Sequence, residues 1–214
     1  MADNVKLILV LALLGVGLFL YFYKGKPLSI KIICSAIVFT YALSGALGAS
    51  DDIAFRLLMS GGLFFCMIGD TAIYYSFKSG AVGFAVAHLF FIVAFFVVGL
   101  YLPTLTLRIF LLIIMIIMIV GTITKFDIKN KLGFYVYFYT AIVSFMTTLA
   151  LCAPIKYGLT AWSVTLAIGA ICFLVSDILL AFIASGMLSK RVNYISLPTY
   201  FLAISLFAHS VNIL

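Results

Sequence analysis

Residues 80–102 read GAVGFAVAHLFFIVAFFVVGLYL, a run with no Asp, Glu, Lys or Arg and a single histidine, His88. An α-helix rising 1.5 Å per residue needs roughly 20 such residues to cross the hydrocarbon core of a bilayer. The run has no polar face, and a helix that is apolar all round belongs in a core or a membrane. Comparable runs lie near 5–23, 28–49, 53–77, 104–123, 132–153, 159–184 and 195–213, separated by short breaks that carry the Lys, Gly, Pro and Asp. The chain as a whole agrees: of its 214 residues 66% are hydrophobic and 9% charged, with a mean hydropathy of +1.34. Soluble domains are nearer half apolar and a quarter charged, so a water-soluble globule is excluded. The runs show no period-two alternation, which argues against a β-barrel. The sequence therefore predicts an all-α integral membrane protein, an eight-transmembrane-helix bundle in which 1–214 is a single transmembrane domain.

Charge placement predicts the orientation, because Lys and Arg are retained on the cytoplasmic side. Lys24, Lys26, Lys31, Lys78, Lys125, Lys129, Lys131, Lys190 and Arg191 follow odd-numbered spans, whereas only Lys6, Arg56, Arg108 and Lys156 fall on the other side. Both termini are thus expected on the non-cytoplasmic side. The first run follows a lone lysine, as a signal peptide does, but no small-x-small cleavage site comes after it, so it counts as the first span. The net charge of +7 reads as loop charge facing anionic lipid, and no nucleic-acid partner is expected. Cys34, Cys66, Cys152 and Cys172 sit inside apolar runs without C-x-x-C spacing and read as small core residues. Ten Lys against three Arg, with no retention signal at the end of the chain, points to a bacterial inner membrane, with endoplasmic reticulum as second choice.

Two carboxylates stand where loop charge is not needed. Asp70 and Asp177 lie inside the third and seventh spans, and both close a similar pattern, Gly62 to Gly69-Asp70 and Gly169 to Ser176-Asp177. The match suggests a four-plus-four internal duplication with parallel halves. Asp70, His88 and Asp177 are each expected about 10 to 12 Å in from the cytoplasmic boundary at 1.5 Å per residue. Tyr139 and Tyr200 fall at similar depth. An ionisable group in hydrocarbon costs several kcal/mol or more unless it faces a cavity or a partner, so these residues mark a candidate site. The plain alternative is a polar clamp between helices, with Ser176 bonding its own helix backbone.

Two carboxyls desolvated in one pocket retain a proton between them. That supplies a general acid beside an anion able to steady a developing cation or guide a water. Asp70 and Asp177 are the catalytic candidates, with His88, Tyr139, Tyr200 and Ser176 binding or orienting the substrate. Lys78 and Lys131 are candidates for the head-group rim. No metal and no cofactor is expected, since His209 sits near the opposite end of the eighth span and three ligands do not converge. No G-x-S-x-G elbow or Gly-rich phosphate loop occurs. From the residues alone an enzyme, a proton-coupled lipid or small-molecule transporter and a structural protein all stay open.

The motif Phe77-x-x-Gly80-x-x-x-Phe84-x-x-Ala87-His88-x-x-Phe91 after Gly69-Asp70 resembles the signature of the YhhN-like lysoplasmalogenases. Phe173-x-x-Ser176-Asp177-x-x-Leu180-Ala181, Tyr139 followed by Met146, and Thr199-Tyr200-x-x-Ala203 are similar to the family's later segments. Phe91 and Ile204 stand where the family more often carries Tyr and Gln. The resemblance implies hydrolysis of the vinyl ether of a lysophospholipid substrate, a lysoplasmalogen. The products would be a fatty aldehyde and glycerophosphoethanolamine or glycerophosphocholine, formed without a cofactor. Membrane lipids are the other partners expected.

Overall fold

The structure, a computed structural model, describes residues 2–101, 104–123 and 131–214. All regular elements among the described residues are helical. They are α1 (Ala2–Tyr23), α2 (Leu28–Gly48), α3 (Ile53–Tyr75), α4 (Phe77–Val97), α5 (Thr104–Ile123), α6 (Lys131–Tyr157), α7 (Ala161–Ala184) and α8 (Asn193–Ile213), with a 3-10 turn at Lys190–Val192. Seven of these helices are long and apolar enough to cross a membrane, and α5 adds a shorter apolar stretch, Leu105–Ile114. The chain is therefore a helical, multi-pass integral membrane protein. Its outward faces fit that solvent: Ile8 on α1, Leu105 on α5 and Ile155 on α6 are each more than 60% exposed.

The helices differ from the sequence reading mainly at their ends. The fourth span, expected to run on to residue 102, stops at Val97. Gly99 takes a left-handed φ of 71°, and the Leu100 N–H donates to the Phe95 carbonyl at 2.9 Å. Closing a helix this way satisfies its last carbonyls, and a side chain at Gly99 would oppose the backbone it needs. The sixth span, expected to end at 153, continues to Tyr157 with Pro154 inside it. Pro198 also lies inside its helix, α8, as the span 195–213 requires. Near an end, proline removes one backbone donor without stopping the helix. The seventh begins at Ala161 because Thr160 caps it, its side-chain oxygen accepting from the Ser163 N–H at 3.2 Å.

Packing pairs α3 with α4 and α7 with α8 most closely, α2 lies against α3 and α8, and α6 lies against α7 and α4. α1 covers α2 and α8, while α5 rests on α6. The α3–α4 approach is set by two glycines: a Cβ added at Gly83 would stand 2.8 Å from the Gly69 Cα. Only bare backbone fits there, and small residues are how membrane helices come close enough for dispersion to hold them. Gly62 is filled by the Phe91 ring, and Gly169 by Phe207, whose Cδ1 would be 2.9 Å from an added Cβ. Phe91, Phe173 and Phe207, all fully buried, form an aromatic floor with the Phe91 and Phe207 centroids 4.8 Å apart.

The opposite end of the bundle is closed by polar contacts of its own. The buried Arg56 guanidinium donates to the Val211 carbonyl, to Leu214 at 2.6 Å and to Asp51 at 3.0 Å, satisfying carbonyls that α8 leaves open at its C-terminus. His209 is spent there too, its Nδ1 2.8 Å from the Tyr41 hydroxyl. The four cysteines are free thiols, three buried and Cys172 half-buried.

Candidate active site

Asp70 is fully buried near the end of α3, yet its carboxylate is surrounded by donors. The Lys31 ammonium lies 2.9 Å from Oδ1, the Tyr200 hydroxyl donates to Oδ2 at 2.7 Å, and the Ser35 hydroxyl donates to the same oxygen. Lys31 and Ser35 are four residues apart on α2 and so share one helix face, which is how a single helix brings both to the same carboxylate. Asp70 is the anionic partner of a buried ion pair, whose Coulomb attraction and extra hydrogen bonds offset the desolvation of both ions.

Asp177 on α7 has a different set of neighbours. The Tyr139 hydroxyl of α6 donates to Oδ2 at 2.8 Å, and His88 Nε2 of α4 lies 3.3 Å from the same oxygen and 3.1 Å from the phenol oxygen. A histidine nitrogen facing a carboxylate oxygen is the N–H of its ring. The other nitrogen, Nδ1, is buried without a hydrogen-bond partner among the described residues, and the ring packs against Phe173 with centroids 4.7 Å apart. No Lys or Arg ion pair to Asp177 occurs among the described residues, in contrast to Asp70.

The two carboxylates open onto one polar chamber of about 290 Å³, also lined by Tyr200, Ser176, Lys26, Lys31, Lys190 and Asn193. It lies where α1, α3 and α7 end and α2 and α8 begin. A second, larger cavity of about 640 Å³ runs between α4, α5, α6 and α7, and its walls are almost wholly apolar. Ile73, Phe84, Asp177 and Leu180 line both. The 640 Å³ volume is within the range of about 300–1,000 Å³ typical of small-molecule sites. A polar chamber and an apolar cleft therefore meet at Asp177.

Most of the residues singled out in the sequence converge here: Asp70, Asp177, His88, Tyr139 and Tyr200 all contact one of the two carboxylates or are one. Ser176 does not touch them. Nor does it bond its own helix, as the plain reading of it had it: its hydroxyl donates to the Ser196 carbonyl of α8 at 2.9 Å, and Ser196 returns the bond to the Ser176 carbonyl at 3.1 Å. The reciprocal pair fastens α7 to α8 beside Asp177. Lys78 lines the apolar cleft instead of the polar chamber. Lys125 and Lys129 lie outside the described residues, as does the Lys131 side chain. Lys31, Ser35, Lys26 and Lys190 were not singled out. The signal for Lys31 and Ser35 was there: Lys31 falls inside the run 28–49, and a lysine within a span followed by a serine four residues on is a polar stripe. Counting it as loop charge hid that.

Phe91 and Ile204, the two departures from the resembled pattern, are both buried in the apolar floor. The model of the YhhN family matches residues 26–211 of this chain, from just before α2 to nearly the end of α8, so the chain belongs to that family. No curated protein matches it, and no solved structure does.

Proposed function

We propose that this member of the YhhN family is a lysoplasmalogenase that cleaves the vinyl ether of a single-chain glycerophospholipid by carboxylic-acid catalysis inside the membrane. The observation that carries the reading is the pairing of two buried carboxylates in unlike surroundings at the junction of an apolar cleft and a polar chamber. The cleft suits one hydrocarbon chain, the chamber suits a glycerophosphate, and the vinyl ether between them falls at Asp177.

The surroundings also divide the labour. Asp70, ion-paired with Lys31, serves as the anion. Asp177, without a fixed cation among the described residues, serves as the acid. In the first step the Asp177 carboxyl proton passes to the alkenyl carbon distal to the ether oxygen, and the oxygen lone pair completes an oxocarbenium ion. Asp70 steadies that positive charge, an interaction stronger in the transition state than in the ground state and therefore catalytic. Water then adds to the oxocarbenium carbon while Asp70 takes its proton, giving a hemiacetal. On collapse the Asp70 proton goes to the departing glyceryl oxygen and the hemiacetal hydroxyl proton returns to Asp177, releasing aldehyde and alcohol with both carboxyls restored. Tyr139 and His88 hold Asp177 in place through the phenol hydroxyl and Nε2. The same reading takes the two halves as duplicates: Asp70 is met from α2 and α8, and Asp177 from the corresponding helices α6 and α4.

The test is aldehyde release by purified, detergent-solubilised protein from a choline or ethanolamine lysoplasmalogen and from its saturated alkyl-ether analogue. The wild type should release aldehyde from the vinyl ether only, and Asp70→Asn and Asp177→Asn should each lose at least about a hundredfold, the usual scale of acid–base catalysis. A folded Asp→Asn protein with near wild-type turnover would sink the mechanism. No aldehyde from folded wild type would move the buried carboxylates to a proton-coupled transport role.

A further inference from the structure

The polar chamber carries more positive charge than its carboxylates account for. Lys26, Lys31 and Lys190 all line it, and among the described residues only Lys31 has a carboxylate partner, Asp70. Lys26 has its ammonium 5.6 Å from the Tyr194 ring centroid and 6.0 Å from that of Phe22. It meets no carboxylate among the described residues, and neither does Lys190. The remaining described acids are elsewhere: Asp3 is paired with Lys6, and Asp51 and Asp52 precede α3 at the far end. Lys31 is itself mostly buried, with 12% of its side chain exposed. Its ammonium has three N–H donors, of which Asp70 occupies one side.

We propose that Lys26, Lys31 and Lys190 form a phosphate subsite, so that the protein selects its lipid by the phosphodiester rather than by the amine of the head group. This rests on the lysoplasmalogenase reading for the identity of the lipid, but not for the binding of phosphate. The chemistry is that of three ammonium point charges lining one chamber, with Lys190 exposed at its mouth and Lys31 mostly buried, where a charge-assisted hydrogen bond is stronger than in water. Asn193 adds a neutral amide to the same wall. Lys31 touches both the subsite and Asp70, so a seated phosphate is placed next to the carboxylate that acts on the cation. The phosphate thereby sets how far along the chain axis the vinyl ether lies, and this decides whether the alkenyl carbon reaches Asp177. Of the two carboxyls that line the chamber, Asp70 is already paired with Lys31 and Asp177 holds the proton it donates, which leaves the amine of ethanolamine or choline no free carboxylate among the described residues. The two head groups, and a bare phosphate monoester, should accordingly be accepted within about threefold of one another, a difference under 1 kcal/mol.

The experiment measures binding without turnover, in neutral maltoside micelles, of a saturated 1-alkyl lysophosphocholine and of the matching 1-alkyl glycerol that lacks phosphate. Wild type should bind the lysophospholipid at least about tenfold tighter, the size expected from hydrogen bonds to a charged group. The double variant Lys26→Gln, Lys190→Gln should erase that gap and leave the alkyl glycerol unaffected. With a vinyl-ether substrate the same variant should both raise KM and lower kcat, since the phosphate supplies affinity and also places the alkenyl carbon at Asp177. Lys24→Gln, an exposed lysine at the same end that does not line the chamber, is the control. Equal binding of the two ligands by wild type would overturn the subsite, and so would Lys24→Gln reproducing the double variant, since that is bulk surface charge. Inorganic phosphate that raises the melting temperature as far as the lysophospholipid does would overturn the lipid assignment in favour of a free anion. Phosphate-dependent binding without aldehyde release would leave the subsite standing and defeat the reaction.

Discussion

Asp70 and Asp177 are the same side chain in two settings, each held by one tyrosine but otherwise by different partners. Lys31 gives Asp70 a fixed counter-charge, while Asp177 has a phenol and an imidazole. Lys31→Met should lower both stability and turnover, because removing one partner of a buried pair leaves an uncompensated charge at a cost of about 3–5 kcal/mol. Adding Asp70→Asn to that variant should recover most of the lost thermal stability, as measured by the melting temperature in detergent, without recovering aldehyde release. Recovery of both would reduce Asp70 to a structural partner. Tyr139→Phe removes the hydroxyl that donates to Asp177 and should cost turnover while leaving substrate binding intact, which a comparison of kcat with alkyl-ether affinity would check. At this scale the sequence marked both aspartates, His88 and both tyrosines, since a polar group inside an apolar run is conspicuous on hydropathy alone. It did not mark Lys31 or Ser35, because a lysine near a span end looks like any other topology signal until its partner is seen.

Among the elements, α3 and α4 carry the tightest constraint. Gly69 precedes Asp70 directly, and Gly83 packs its backbone on Gly69, so the position of Asp70 depends on how closely the two helices approach. Gly83→Ala should push them apart, destabilise the protein by about 1–3 kcal/mol as overpacking does, and reduce turnover more than the stability loss explains. Gly15→Ala on α1 meets nothing within 4 Å and should leave the melting temperature unchanged or slightly raised. If Gly83→Ala were as silent as Gly15→Ala, the close approach would not be holding the site. The number and order of the helices were legible, since hydrophobic length is the direct requirement of a bilayer. Their ends were less so: Gly99 stops α4 early and Pro154 fails to stop α6, and both outcomes depend on local hydrogen bonds that apolar composition does not report.

For the molecule as a whole, the cleft between α4, α5, α6 and α7 is where a hydrocarbon chain would lie, and it leads to the carboxylate that would give up the proton. Ala85 on α4 lines it. Ala85→Trp should block long-chain vinyl ethers and spare short ones, so the ratio of turnover on a long-chain to a short-chain lysoplasmalogen should fall at least tenfold, about 1.4 kcal/mol. An unchanged ratio would place the chain elsewhere.

The sequence by itself determined the solvent, the helix count and order, the family resemblance and the identity of the carboxylates, because each follows from local composition and spacing. Only the tertiary structure decided which carboxylate has a fixed cation, that Ser176 fastens α7 to α8, and that Lys26, Lys31 and Lys190 share one chamber. Those facts are contacts between residues that can lie more than a hundred positions apart, such as Tyr200 and Asp70. No periodicity along one helix encodes which neighbour its polar face will meet, since that is fixed by how close the glycines let the helices come.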